Sequence, residues 1–213
     1  MTVASAAATI LALLLLRLQT AYGIKNVVST FFEPVSELGK RGMDELHQQT
    51  VNLLSFQSMP KAVFDEQIAF NMITRFGQSA TTSLETVERR IIQHYRTITS
   101  DSLPVPSLML VQTPVFHGHT FSIYIELEQR PEKGKIQETL GGEHVTLATS
   151  PEDSPSNVNA AGQGQILLAV RPVRDKPNAF WLWGAADNLK LAAITAVECA
   201  SVLSMVRPSG KVQ

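Results

Sequence analysis

Leu108-Met109-Leu110-Val111-Gln112-Thr113-Pro114-Val115-Phe116-His117-Gly118-His119-Thr120-Phe121-Ser122-Ile123-Tyr124-Ile125-Glu126-Leu127-Glu128 reads as two strands around a tight polar connection, a hairpin at the centre of the fold. The first strand is apolar and β-prone through Val115, with Pro114 marking an edge or a bulge. From Thr120 onward strict alternation puts Phe121, Ile123, Ile125 and Leu127 on one face and Ser122, Tyr124, Glu126 and Glu128 on the other. Gly118 separates two imidazoles, and a residue without Cβ there lets the backbone turn sharply and a ligand come close. His119 thus stands at a strand mouth. With an unperturbed pKa of about 6.5 it suits acid/base chemistry near neutrality. A solvated loop histidine, or half of a metal site with His117, are the other readings of the same spacing.

Composition narrows the field. The chain has 213 residues and a formal net charge of -1, so electrostatics offers no case for nucleic acid or an anionic membrane surface as partner. The length suits one good-sized domain with appended elements. A single cysteine, Cys199, can form neither an internal disulfide nor a metal cluster alone, which suits the reducing cytoplasm; in its Ala-rich helical run it reads as a small core residue. The apolar run Ala4 to Leu18 is shorter than the roughly 20 residues needed to cross a bilayer. Arg17 interrupts its end and no basic residue precedes it, so a helix buried on all sides is expected rather than a membrane span or signal peptide.

Ile24 to Phe32 is β-prone, and a helix follows with an apolar stripe at Met43, Leu46, Thr50, Val51 and Leu54, with Ser36 as its cap. His47 falls on the polar side of that helix. Thr81 to Ile98 is helical, with Leu84, Val87, Ile91, Ile92 and Tyr95 facing inward. Arg130 to Leu140 reads as a short helix ended by Gly141-Gly142, and Ser150 to Gly164 as a long surface loop. Two more strands, Gln165 to Val173 and Asn178 to Gly184, follow; the second carries Trp181 and Trp183 on one face, as core or as an oligomer seam. A last helix, capped by Asp187 or Asn188, runs to about Met205.

Several of these segments, in order, resemble aspartate-semialdehyde dehydrogenases. Pro114-Val115-x-x-Gly118-His119 is similar to the family's active-site histidine segment, Tyr22-Gly23-Ile24-Lys25-Asn26-Val27-Val28 to the end of the helix that begins at its catalytic cysteine, and Ile68-Ala69-Phe70-Asn71 to a strand of its second domain. Gly42-Met43-Asp44-Glu45-Leu46 and Asp187-Asn188-Leu189-Lys190 also fit. The resemblance implies an α+β fold, a mixed and mostly antiparallel sheet covered by helices on one face. It divides the chain into an N-terminal apolar helix (1–22), a dimerisation-type domain (23–184) and a C-terminal helix and tail (185–213). It makes His119 the acid/base and places Asn188 at the nicotinamide. It sets Gln112 where the family has a substrate-clamping arginine, Glu33 where it has a substrate-touching glutamine, and Glu88 and Arg90 nearest its substrate-binding glutamate and lysine. The cysteine position falls at Ser5 or Ala6, where there is no thiol.

No Gly-x-Gly-x-x-Gly turn follows a strand anywhere, so NADP, the family's cofactor, is not expected to bind this chain alone. The resemblance therefore leads to an expectation of a pseudoenzyme half. It would be a homodimer, without membrane or nucleic-acid partners and without a metal, acting in assembly and lacking its nucleotide-binding domain. The alternative is a fragment of a working NADP-dependent enzyme of amino-acid biosynthesis that reductively dephosphorylates aspartyl phosphate.

Overall fold

An apolar helix can be buried on all sides only if other elements clad it, and that requirement organises the architecture. The computed structural model describes residues 3–132 and 134–206, with side chains as far as Leu203. Helix α1 (Ala6–Tyr22) buries Ile10, Leu11, Leu14, Leu15 and Leu18 together with its alanines. It lies on strands β1 (Ile24–Glu33) and β3 (His119–Leu127) and is flanked by α3 (Leu84–Thr99), α4 (Lys135–Leu140) and α6 (Asn188–Val206). Arg17 at its end reaches sideways, donating to the carbonyls of Leu140 at 2.6 Å and Glu143 at 2.7 Å, and so satisfies groups left open at the end of α4. Among the described residues no helix is long and apolar enough to cross a membrane.

Six strands form one mixed sheet in the order β2-β1-β3-β6-β5-β4, with β2 (Ser107–Gln112), β4 (Val145–Leu147), β5 (Ile166–Val173) and β6 (Lys176–Ala186). The three inner pairings are antiparallel, and the outer β1/β2 and β4/β5 pairings are parallel. The expected alternation is present, with Phe121, Ile123, Ile125 and Leu127 all fully buried on the helix side. Gly184 pairs with Phe121; a Cβ there would sit 2.2 Å from the phenyl ring, so the missing side chain is what admits the aromatic.

The expected hairpin does not exist. β1 lies between β2 and β3, parallel to one and antiparallel to the other, because the apolar β1 is a better two-sided neighbour than either flank is for the other. The Ile68-Ala69-Phe70-Asn71 segment is not a strand either; it runs as turns, joining the sheet edge only through a bridge from Ile73 to Gln112. What holds it is the polar side of α2 (Gly39–Leu54). Glu45 accepts the backbone N–H groups of Val63 and Phe64, and Gln49 accepts those of Ile68 and Ala69 while donating to the carbonyls of Pro60 and Glu66. The stripe expected on α2 is thus only half right: Leu46 is buried, but Val51 and Leu54 are exposed while Glu45 and Gln49 lie inside. Ser36 caps nothing, since α2 begins at Gly39 after a separate 3-10 turn at Val35–Leu38.

Cys199 is exposed, not core, because α6 presents that side to solvent. The Ser150 to Gly164 loop contains a 3-10 turn (Pro151–Asp153) and the short α5 (Asn157–Ala160), and the helix expected from Arg130 is confined to α4. The tail at 207–213 lies outside the described residues. Replacing Gln49 with Leu orphans the buried N–H groups of Ile68 and Ala69 and the half-buried carbonyls of Pro60 and Glu66 at once. It is expected to lower unfolding stability by about 3 kcal/mol, with faster amide exchange concentrated in residues 60–69, measured by urea titration and hydrogen exchange.

Candidate functional site

Four chain segments meet at the carboxyl end of β1. Glu33 ends that strand, Pro34 turns the chain into the 3-10 turn bearing Ser36 and Glu37, Gly118 delivers His119 into β3, and Asn188 opens α6. Backbone bonds from Val35 N–H to the Val115 carbonyl at 2.8 Å and from Ser36 N–H to the Phe116 carbonyl at 3.1 Å clamp the turn to the loop before His119. Gly118 has φ of +86° and lies against the backbone of Asn157, so both its conformation and its space favour glycine.

His119 is buried, neither solvated nor at an open mouth, and its ring stands edge-on to Phe31. Its Nε2 faces Glu37 Oε1 at 3.2 Å and its Nδ1 faces Glu33 Oε2 at 3.9 Å. His117 is exposed and takes no part, which removes the two-histidine metal reading. Asn188, 1 % exposed, has its whole amide in use: Oδ1 accepts from Gly118 N–H and from the Ser36 hydroxyl, and Nδ2 donates to Glu37 Oε1 at 2.8 Å. The helix cap is Asp187, whose Oδ1 accepts from the N–H groups of Leu189 and Lys190. With its amide spent inside the protein, Asn188 does not fit the nicotinamide contact that the resemblance implies.

Gln112 is equally committed, its amide donating to the Glu33 carbonyl at 2.9 Å and to the Thr113 carbonyl, so it points along the main chain. Arg90, at the surface, acts on both Glu33 and Glu37 through its charge, whereas Glu88 makes no bond to this group. One turn beyond Arg90, His94 accepts the N–H of Ser5 through Nδ1 at 3.0 Å, and the Ser5 hydroxyl is buried without a partner. Glu37 and His94 are thus the residues that sequence reasoning passed over, and Ser36 was read only as a helix cap. Only the i, i+4 spacing of the two acids hinted at Glu37.

The electrostatics follow from burial. Desolvation pushes the Glu33 carboxyl up to about 7, with His119 offsetting part of the rise. Burial also opposes charge on Glu37, but the hydrogen bond and charge of His119, with help from Asn188 and Arg90, hold it down at about 2. For His119 burial favours the neutral ring, yet Glu33 and Glu37 together raise it to about 9. The two carboxylates thus favour the charged form of the imidazole, paired with Glu37.

The sign of the pH dependence can be worked out. Glu33 and His119 bind protons more tightly folded than unfolded, so their contributions are complete below 4.5 and 6.5 and are lost as pH rises through about 7 and about 9. Glu37 contributes above 4.5 and loses its contribution as pH falls toward about 2. Stability should accordingly fall between about pH 4.5 and pH 9 in chemical denaturation series, and Glu33→Gln should flatten the part of the fall below about pH 7.

This arrangement can be set beside known proteins. Residues 15–191 match the family model described as "Semialdehyde dehydrogenase, dimerisation domain". The chain is 33% identical over 200 residues to an aspartate-semialdehyde dehydrogenase of Rickettsia bellii, covering 91% of this chain and 58% of that protein. It is 32% identical to a USG-1 protein homolog of Azotobacter vinelandii, covering 80% of this chain and 52% of the relative. Among solved structures, a probable aspartate-semialdehyde dehydrogenase from Pseudomonas aeruginosa superposes with a TM-score of 0.84 at 26% identity, over 94% of this chain and 61% of that one. The chain thus spans little more than half the length of these relatives. With a family match running from within α1 to the start of α6 and a sheet of the same architecture, the chain belongs to the semialdehyde dehydrogenase dimerisation domain family.

Proposed function

We propose that the chain serves as an assembly domain, pairing with a second copy of itself through the face of the sheet that the helices leave open, and that it does not catalyse by itself. The observation carrying this reading is an aromatic seam on that face. Phe32 lies against Trp183 and Tyr124 against Trp181, with Lys176 over the Tyr124 ring. Around the seam Trp181, Met109 and Val28 are 45%, 50% and 43% exposed. Large apolar and aromatic side chains left uncovered on a flat sheet suit a partner surface, and the family's description as a dimerisation domain supports a second copy as that partner. Part of the face is already capped by the α5 region, where the Trp183 indole donates to the Pro155 carbonyl at 2.9 Å, which directs pairing toward the Trp181 side.

The inactive half of the proposal rests on the chemical positions. There is no thiol at Ser5 or Ala6, Gln112 and Asn188 are turned inward, and Glu33 puts a carboxylate, which would repel an acidic substrate, where the resemblance has a neutral glutamine. The second reading, a portion of a working NADP-dependent aspartate-semialdehyde dehydrogenase in amino-acid biosynthesis, draws on the names of the relatives and on His119 standing where the family's acid/base stands. It would need a nucleotide-binding domain and a cysteine beyond those described here. A reducing compartment such as the cytoplasm suits the exposed, unpaired Cys199.

Sedimentation equilibrium tests the assembly reading. The expected mass is twice the 23.3 kDa of the chain, and Trp181→Glu should weaken association by about tenfold or more with an unchanged circular dichroism spectrum. A monomer at all concentrations, or a dimer indifferent to Trp181→Glu, would overturn it.

A further inference from the structure

Among the described residues, two buried polar atoms at the core of the site have no hydrogen-bond partner of ordinary geometry: Glu33 Oε1 and His119 Nδ1, on residues 2% and 1% exposed. Such groups cost free energy unless a partner satisfies them. One donor atom from each of Glu33, Glu37 and His119 lies within 4.8 Å of the others. We propose that Glu33, Glu37 and His119 form a binding site for one divalent transition-metal ion of the zinc and cobalt class.

On the Nδ1 side the geometry is close to what such an ion requires, while Glu37, which now faces Nε2 at 3.2 Å, has to turn its carboxylate toward Nδ1 to join the shell. His119 Nδ1 and Glu33 Oε2 stand 3.9 Å apart. Metal–ligand bonds of about 2.0–2.2 Å at a tetrahedral angle need a separation only about half an ångström shorter, within the reach of a small side-chain adjustment. Two carboxylates and a neutral imidazole carry the charge that balances a divalent cation, so the loaded site is neutral at a depth where Glu33 and His119 are buried. One nitrogen and two oxygens favour zinc or cobalt over magnesium and calcium, which take oxygen alone. Glu37 is oriented by the amide of Asn188, the kind of outer hydrogen bond that fixes a ligating carboxylate. The Glu37 side chain is 23% exposed, which leaves an entry path and a coordination position for water. The Arg90 guanidinium, whose charge now acts on both carboxylates, is at the surface and can turn outward when the ion arrives.

The test uses the full chain, stripped with chelator. Cys199→Ser and His144→Gln first remove the exposed thiol and the surface imidazole that lies 3.6 Å from both Glu143 and Glu198, which could bind metal on their own. In this background, titration with cobalt should give visible d–d absorption saturating at one ion per chain, displaced by zinc, and zinc should raise the melting temperature. Glu33→Gln and Glu37→Gln should each weaken cobalt binding by about tenfold or more. Should either variant fail to fold, X-ray absorption of the zinc-loaded background chain decides, with one imidazole and carboxylate oxygens expected around the ion. Substoichiometric cobalt, a melting temperature indifferent to zinc, affinity unchanged in both variants, or a shell containing sulfur or several imidazoles would overturn the proposal.

Discussion

A charged imidazole is tolerated inside a protein only with its counter-charges beside it, and the ends of four segments are arranged to supply them to His119. Glu33 comes from β1, Glu37 from the turn beyond it, and Asn188 from α6 fixes Glu37 in place. Because Asn188 also accepts from Gly118, the approach to β3 and the start of α6 are tied to the same knot. Removing one member would strand the others away from water, which costs several kcal/mol in buried pairs of this kind. The junction is thus as much a clasp joining sheet to helices as it is a site.

The two acids are best understood together. A lone carboxylate at Glu33 would be hard to keep ionised at this depth, and its carboxyl is accordingly raised to about 7. Glu37, a helical turn later in sequence and nearer solvent, takes the imidazolium instead and stays ionised. With two carboxylates beside it, the surroundings of His119 favour a cation over an anion.

How far the chain's own order discloses this depends on whether a feature is local. The alternation from Phe121 to Leu127 and the all-round apolarity of α1 are local patterns, and both were legible as they stand. The hairpin was misread because β1, distant in sequence, outcompetes the neighbouring strand for the same edge. The interior of α2 was misread for a different reason: Glu45 and Gln49 are buried by the backbone groups they satisfy, and counting apolar residues around a helix cannot register that. In the site, the resemblance pointed to His119, Glu33 and Asn188, which do come together, but spacing gave no sign that Asn188 would be spent on Ser36 and Glu37.

The insertion of β1 between β2 and β3 has a kinetic side as well. Phe31 pairs with Leu110 on one flank and Phe121 on the other, so neither edge of β1 can be satisfied until a long intervening stretch containing α2 and α3 has been placed. Loop closure must precede the contacts that reward it, and domains of such high contact order fold slowly. During that interval α1, made before these strands and apolar on nearly every side, lacks its cladding. A newly made chain therefore passes through a stage in which an apolar helix waits on distant strand pairings, a natural point for chaperone capture.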